Sequence, residues 1–503
     1  MANESFPTAE ELRQESGLKA RFDKLDGDRI TTLNKARDCS KLTIPSVLPD
    51  ESFTEQTKLP DTYNSLGARA VNNLSNKLLL GLLPPSSAFF RLKPTIDDSE
   101  ELTEDSMDAE IEAQLSRLET RVMDKIEASG MRPVVHQAFV NLIVTGNAAL
   151  LFEEGSMHLY KLDSYVVQRD FTGNVVDVIL KEKISYSALP EELAGKLELT
   201  DDEKKQDIEL YTRYIRQGSN WLTYQEVNTE IVDGSEQTIK DKHMPLMVLR
   251  WSKINGENYG RGLVELHLGD FRSLEGLTQM MIEYSAIAAK VIFGVNPGSA
   301  IEIDELEDAE NGGVIVGNLE RDVTRLAVDK QADLQIPLKM LEDITRRIGA
   351  AFLLQSTTTR DSERTTALEI QYLARELEDA LGGIYSIISQ EFQLPLVNIL
   401  LQDMKFDLGD MVEPTITTGL SALGRTQDLE KLRQLNGLLA EVNPDYVVKY
   451  IKMEEYLKRI GTALGIKDAE ALFASQEEVQ QEQQGLTDAG VPNVQDPNQV
   501  RQQ

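Results

Sequence analysis

The sequence predicts a large α+β protein, and three observations predict it. The chain has 503 residues, 41% of them hydrophobic and 27% charged, enough for a sizeable core and about three structural units. Long stretches before residue 147 and after residue 262 place apolar residues at helical spacing. Between them, residues 148–249 are rich in Val, Ile and Tyr, with period-two runs and turn signals.

In chain order, Pro7 and the capping-box spacing of Thr8-Ala9-Glu10-Glu11 start a first helix. Leu66, Ala70, Leu74 and Leu78 share one face of a helix over 64–82. Ile111, Leu115, Leu118, Val122 and Ile126 do so over 104–129, ended by Gly130. A third helix spans 133–146, with proline at its start and glycine at its end. In the β-rich span, Tyr165–Arg169 and 175–179 flank Phe171-Thr172-Gly173-Asn174 as a hairpin, and Gln217-Gly218-Ser219-Asn220 is a second turn.

Leu274, Leu277, Met281, Tyr284, Ala288 and Val291, spaced 3, 4, 3, 4, 3, form a seam for packing against neighbouring helices. A β-like insert over 296–336 carries an acidic patch at 302–310 and a turn at Asn311-Gly312-Gly313. Pro337 opens another helix, with Leu338, Leu341, Ile344, Ile348 and Phe352 on one face. A polar segment follows, with Thr357, Thr358, Thr359, Arg360, Asp361, Ser362, Glu363 and Arg364. A long helix from about residue 366 has Ile370, Leu373, Leu377, Leu381, Ile384 and Ile388 as its stripe, and Gly382-Gly383 and Pro395 as kinks. Helical pattern returns over 426–475, and 476–503 is a Gln-rich tail.

Charge narrows the function. With 52 Lys and Arg against 84 Asp and Glu, the net charge is −32. Such a chain repels nucleic acid as a whole, which excludes a simple phosphate-gripping binder but not a conduit that DNA slides through. The single cysteine, Cys39, can form neither an internal disulfide nor a cysteine zinc site, and fits folding in a reducing compartment. The N-terminus is polar and acidic, unlike a signal peptide, and the apolar runs 78–83 and 142–152 are too short to span a bilayer. The expectation is a protein made in a host cytoplasm, with no membrane partner.

No enzyme signature emerges. Residues 419–426 resemble a phosphate-binding loop, but Arg425 stands in the lysine position and 412–418 reads as a poor strand; a helix-capping loop is the better reading. His136, His158, His243 and His267 lie far apart without metal-ligand spacing. No catalytic residue, metal or cofactor is assigned. The excess of carboxylates reads as a solvated acidic face rather than the site of an acidic hydrolase.

An ordered series of segments resembles the portal, or head-to-tail connector, proteins of short-tailed, podovirus-type bacteriophages. It runs from Cys39-Ser40-Lys41-Leu42-Thr43-Ile44-Pro45-Ser46, through Gly67-Ala68-Arg69-Ala70-Val71-Asn72-Asn73-Leu74 and Lys77-Leu78-Leu79-Leu80, to Tyr165-Val166-Val167-Gln168-Arg169-Asp170. It continues at Tyr259-Gly260-Arg261, Gly269-Asp270-Phe271-Arg272-Ser273-Leu274, Glu376-Leu377-Glu378-Asp379-Ala380-Leu381-Gly382-Gly383-Ile384-Tyr385-Ser386 and Gln390-Glu391-Phe392-Gln393-Leu394-Pro395-Leu396. Glu413-Pro414-Thr415-Ile416-Thr417-Thr418-Gly419-Leu420 closes it.

The resemblance implies the phage portal fold, assembled as a ring, usually a dodecamer, at one capsid vertex. It divides the chain into a mixed α/β wing (1–261), a first stem helix (262–292), a small α/β clip (293–336) and a second stem helix (337–355). A channel loop (356–365), a long helix returning to the wing (366–425), a helical crown (426–475) and the tail (476–503) complete it. The implied partners are double-stranded DNA passing without sequence specificity, the terminase large subunit, tail adaptor proteins, capsid and scaffolding proteins, and internal core proteins on the crown. The rival within the virion is a tail-tube or internal core protein, against which the paired stem-like helices argue.

Overall fold

The computed structural model describes residues 17–54, 56–85, 88–94, 105–188, 207–288, 292–298, 303, 304, 308, 316, 318–326, 331–354, 377, 380–406 and 412–416. The chain divides into two units, 1–416 and 417–503, and every described residue belongs to the first.

Among the described residues the first helices are α1 (Leu18–Asp28), α2 (Ile30–Leu42) and α3 (Leu66–Leu82). After β1 (Phe90–Pro94) come α4 (Asp105–Ala128) and α5 (Met131–Thr145). Helix α5 is the core helix: Val135, Ala138, Phe139, Leu142 and Ile143 are all fully buried. It begins two residues before Pro133, which sits in the first turn, where a missing N–H costs nothing. Gly146 ends it at φ +80, and a Cβ there would lie 2.5 Å from the Gly262 nitrogen, so only glycine fits this backbone crossing.

The strands β2 (Asn147–Glu153), β3 (Ser156–Tyr160), β4 (Tyr165–Arg169), β5 (Val175–Ile184), β6 (Ile208–Gln217), β7 (Asn220–Val227), β8 (Glu230–Ile231), β9 (Gln237–Lys240) and β10 (Leu246–Arg250) follow. An antiparallel sheet of order β10-β2-β3 lies against α5, whereas β4-β5-β6-β7-β8, with β9 also on β7, forms a six-stranded antiparallel sheet. Both hairpins read from the sequence are present. Asp170 closes the first by accepting the Asn174 N–H at 2.8 Å and the Thr172 hydroxyl at 2.7 Å, while Gly218, at φ +62, closes the second. Arg213 reaches across β6 and β5 to Asp177 with two hydrogen bonds of 3.0 and 2.9 Å, both side chains being buried.

The chain then runs through α6 (Leu263–Leu266), α7 (Leu268–Ala288), β11 (Ile292–Val295), α8 (Leu319–Asp322), β12 (Val323–Leu326) and α9 (Gln331–Ala351). Two expectations shift here. The β insert begins at Ile292, ahead of Asn296, because Ile292 pairs with Leu326 in an antiparallel ribbon. Helix α9 starts at Gln331, and Pro337 lies inside it rather than at its head. A proline this close to a helix start removes one hydrogen bond but leaves the later ladder intact.

The last elements among the described residues are α10 (Gly383–Ile388), a π-helical turn at Ser389–Gln393, α11 (Leu394–Asp403) and β13 (Val412–Ile416). The break falls at Gly382, with φ +46, as its glycine pair suggests. The π turn is an addition: its extra residue aims Glu391 at Arg250 (2.7 Å) and Gln393 at the Leu82 carbonyl (2.6 Å). Pro395 then falls in the first turn of α11 without kinking it. Residues 412–416, a poor strand by sequence, do form one, paired antiparallel with β1, Pro414 opposite Leu92. A two-stranded ribbon tolerates proline because its outer edge needs no donor.

The segment Gly383–Asp403 is long and apolar enough to cross a membrane, but half of it is buried in this fold, with Phe392 edge-on to Phe139 at 5.7 Å.

Candidate functional site: the helical hairpin and its root

Helices α7 and α9 pack side by side, joined at their far end through the β11–β12 ribbon. Their near ends enter the core. Leu274, Ile344, Ile348 and Phe352 are buried, and Leu277 and Leu341 pack partly against the same cluster. The Phe352 ring meets Phe271 edge-on at 5.7 Å and His267 at 6.0 Å. Ion pairs rim this root: Arg347 with Asp270 at 2.7 Å, tying α9 to α7, and Arg272 with Asp38 at 2.6 Å, tying α7 to α2. Glu275 accepts the Tyr63 N–H and the Asn64 side chain, both at 2.7 Å.

Away from the root the surroundings change. Met281 and Tyr284 are half-buried, whereas Met280, Ile282 and Ile287 on α7, and Ile336, Leu338 and Met340 on α9, are exposed. Six large apolar side chains on two adjacent helices are more than a solvated surface ordinarily presents together.

The end of α9 is built unusually. The Leu354 N–H donates to the Gly349 carbonyl at 2.8 Å and the Leu353 N–H to Ala350 at 3.2 Å, a Schellman stop with Leu353 in its left-handed position at φ +55. Glycine normally occupies that position; a leucine there costs about 1–2 kcal/mol. Two side chains of α3 grip the strained turn. Lys77 Nζ, on a side chain that is almost wholly buried, donates to the Leu353 carbonyl at 2.9 Å, and Asn73 Nδ2 donates to the Phe352 and Leu353 carbonyls, each at 3.1 Å.

A second polar cluster lies beneath the β4–β5 turn. Arg169 and Arg250 both donate to the Gly173 carbonyl at 3.1 Å and face Glu391. Burial pulls Arg169 down to about 10, with Glu391 opposing, so it stays protonated at neutral pH. Burial pushes the Cys39 thiol up to about 12, which leaves it unreactive. No group of three or more metal-ligating side chains occurs among the described residues.

Of the residues singled out by sequence, Leu274, Leu277, Met281, Tyr284 and Ala288 all lie on α7, in the hairpin. Val291 and the whole segment Thr357, Thr358, Thr359, Arg360, Asp361, Glu363 and Arg364 fall outside the described residues, as do 419–426. Sequence reasoning passed over Asn73 and Lys77. The available signal was a lysine three residues after Leu74 and next to Leu78, on the apolar side of that helix.

Residues 15–471 match the family model described as the bacteriophage head to tail connecting protein. The chain belongs to that family. Full-length relatives agree: it is 38% identical over 501 residues to the portal protein of Enterobacteria phage T3, covering 95% of this chain and 92% of the relative. The portal protein of Escherichia phage T7 is 37% identical with the same coverage. Among solved structures, the neck of an empty gene transfer agent particle matches with a TM-score of 0.40 and 12% identity, over 76% of this chain and 89% of that one. As a member of the head-to-tail connector family, the chain is a portal protein, a structural part of the virion at the portal vertex of the capsid.

Proposed function

We propose that this chain is one subunit of a twelvefold ring through which double-stranded DNA enters and leaves the head, with α7 and α9 as its stem. The observation that carries this reading is the exposed apolar outer half of the hairpin, which a neighbouring copy would cover. In this reading 1–261 is the wing, 262–292 and 337–355 the stem, 293–336 the clip, 366–425 the return to the wing and 426–475 the crown. The clip receives the terminase large subunit during packaging and tail adaptor proteins afterwards. Capsid, scaffolding and internal core proteins meet the remaining surfaces. The chain supplies a passage rather than chemistry, the motor hydrolysing ATP.

A ring of subunits at −32 each carries several hundred negative charges, so DNA is repelled from the wall and slides. Holding packaged DNA then requires local cations, and Arg360 and Arg364 in the channel loop 356–365 supply them. Changing both to Ala should leave rings intact and raise the share of heads that fill and then lose their DNA. Heads that retain DNA as well as wild type would show that these arginines serve only in ion pairs, with Asp361 or Glu363 for example.

A further inference from the structure

Beneath the β4–β5 turn the charges do not balance. The Arg169 and Arg250 side chains are 3% and 2% exposed, and among the described residues both ion-pair with the same carboxylate, Glu391. Its Oε1 accepts from Arg250 Nη2 at 2.7 Å and lies 4.0 Å from Arg169 Nη1, while its Oε2 accepts the Arg250 N–H at 3.0 Å. The other acceptors that these guanidiniums meet are neutral carbonyls, those of Gly173, Asn258 and Val248. Two buried positive charges therefore share one negative charge. A buried charge without its counter-charge is strongly destabilising, which points to a missing anion.

Two further observations locate it. Arg250 Nη1 is buried, and among the described residues no acceptor reaches it. Lys253 is exposed, and it lies over the same turn: a Cβ built on Gly173 would sit 3.3 Å from Lys253 Nζ and 3.4 Å from Arg250 Nη1. Two like charges thus converge on one face of Gly173, an arrangement that repels unless an anion lies between them. Asp170, in the same turn, does not neutralise them. Its oxygens accept from Thr172 and Asn174, and these bonds hold its carboxyl down at about 2. Even with Asp170 counted, Arg169, Arg250 and Lys253 outnumber the two carboxylates.

We propose that this turn binds a small oxyanion of the phosphate or sulfate class, held between Arg250 Nη1 and Lys253 Nζ. Lys253 covers Nη1, and because its side chain is exposed its four-carbon stem pivots at little cost, so that both nitrogens donate to one ion. The ion restores the missing negative charge and, through Arg250 and Glu391, ties the β4–β5 turn to the π turn at Ser389–Gln393. Gly173 keeps the approach open: its φ is +91, and a side chain there would meet Lys253 Cε at 2.8 Å.

The test titrates purified rings of the full-length protein with inorganic phosphate, sodium chloride holding the ionic strength constant so that general screening does not change. Phosphate should slow amide exchange in the peptides covering 169–175 and 389–393, by about elevenfold at ten times its dissociation constant, and leave α4 unchanged. Lys253→Gln, an exposed substitution, should raise the half-saturating phosphate concentration about tenfold, the size expected from losing one charge-assisted contact. Lys253→Glu supplies a carboxylate to Arg250 from the chain itself, so the turn should be protected without phosphate and gain nothing when phosphate is added. A phosphate effect no greater than that of chloride overturns the site, as does an equal phosphate effect on wild type and Lys253→Gln. Protection of the turn by a DNA oligonucleotide but not by inorganic phosphate would also overturn it, assigning the cations to nucleic acid instead.

Discussion

At its root the α7–α9 hairpin hides Leu274, Ile344, Ile348 and Phe352, while toward its far end, about 30 Å along a helix of this length, Met280, Ile282, Ile287, Ile336, Leu338 and Met340 face outward. Both ends carry the same kind of side chain. The root is satisfied within one subunit, by packing, ring contacts, an ion pair to α2 and hydrogen bonds from α3; the outer half is not. The difference separates residues that hold the subunit together from residues available to hold subunits to one another, a separation that measurement can break.

The largest effect belongs at the root. Phe352→Ala empties a fully buried site against Phe271 and His267 and should cost about 3–5 kcal/mol of subunit stability, read by denaturant unfolding. A loss no larger than that of a surface substitution would show that the root is not a packed anchor. Next comes Met281→Asp, about two-thirds of the way along α7. It should leave the isolated subunit within about 1 kcal/mol of wild type, because the side chain is only half-buried there, yet give smaller or broken rings by sedimentation. Intact rings of unchanged stability would remove Met281 from the subunit seam.

The smallest effect lies far from the hairpin, in the six-stranded sheet, and tests whether that region is independent of assembly. Burial pushes the Glu209 carboxyl up, but Lys181 at 2.7 Å, the Tyr211 hydroxyl at 2.8 Å and Lys19 at 3.4 Å outweigh it and bring it from 4.5 down to about 2. A depressed carboxylate stabilises the fold above its unfolded value, and the contribution disappears as pH falls from about 4.5 through about 2. Glu209→Gln should flatten the loss of stability over that window and leave ring size unchanged. An unaltered acid slope would mean that Glu209 titrates alike in the folded and unfolded chains.

Much of the frame was legible because its signals are local. Gly130 and Gly146 bracket α5, the Asp170–Asn174 turn closes β4 on β5, and the 3, 4 spacing from Leu274 marks α7. Pairings between distant segments were not legible. Val412–Ile416 carries a proline and little β propensity, and becomes a strand only because β1 offers an edge more than three hundred residues earlier. The π turn at Ser389–Gln393 has no sequence mark either; it exists where one inserted residue lets Glu391 meet Arg250 and Gln393 meet Leu82.

The sequence by itself determined the α+β class, the ordered family segments, the acidic balance of −32 and the helical seam, since composition and short-range periodicity need no partner. Only the tertiary structure decided which stretch of that seam is buried and what meets the end of α9. Burial depends on what lies opposite. Lys77 and Asn73 of α3 reach the Leu353 and Phe352 carbonyls across more than 270 residues of chain, a meeting that no local pattern announces.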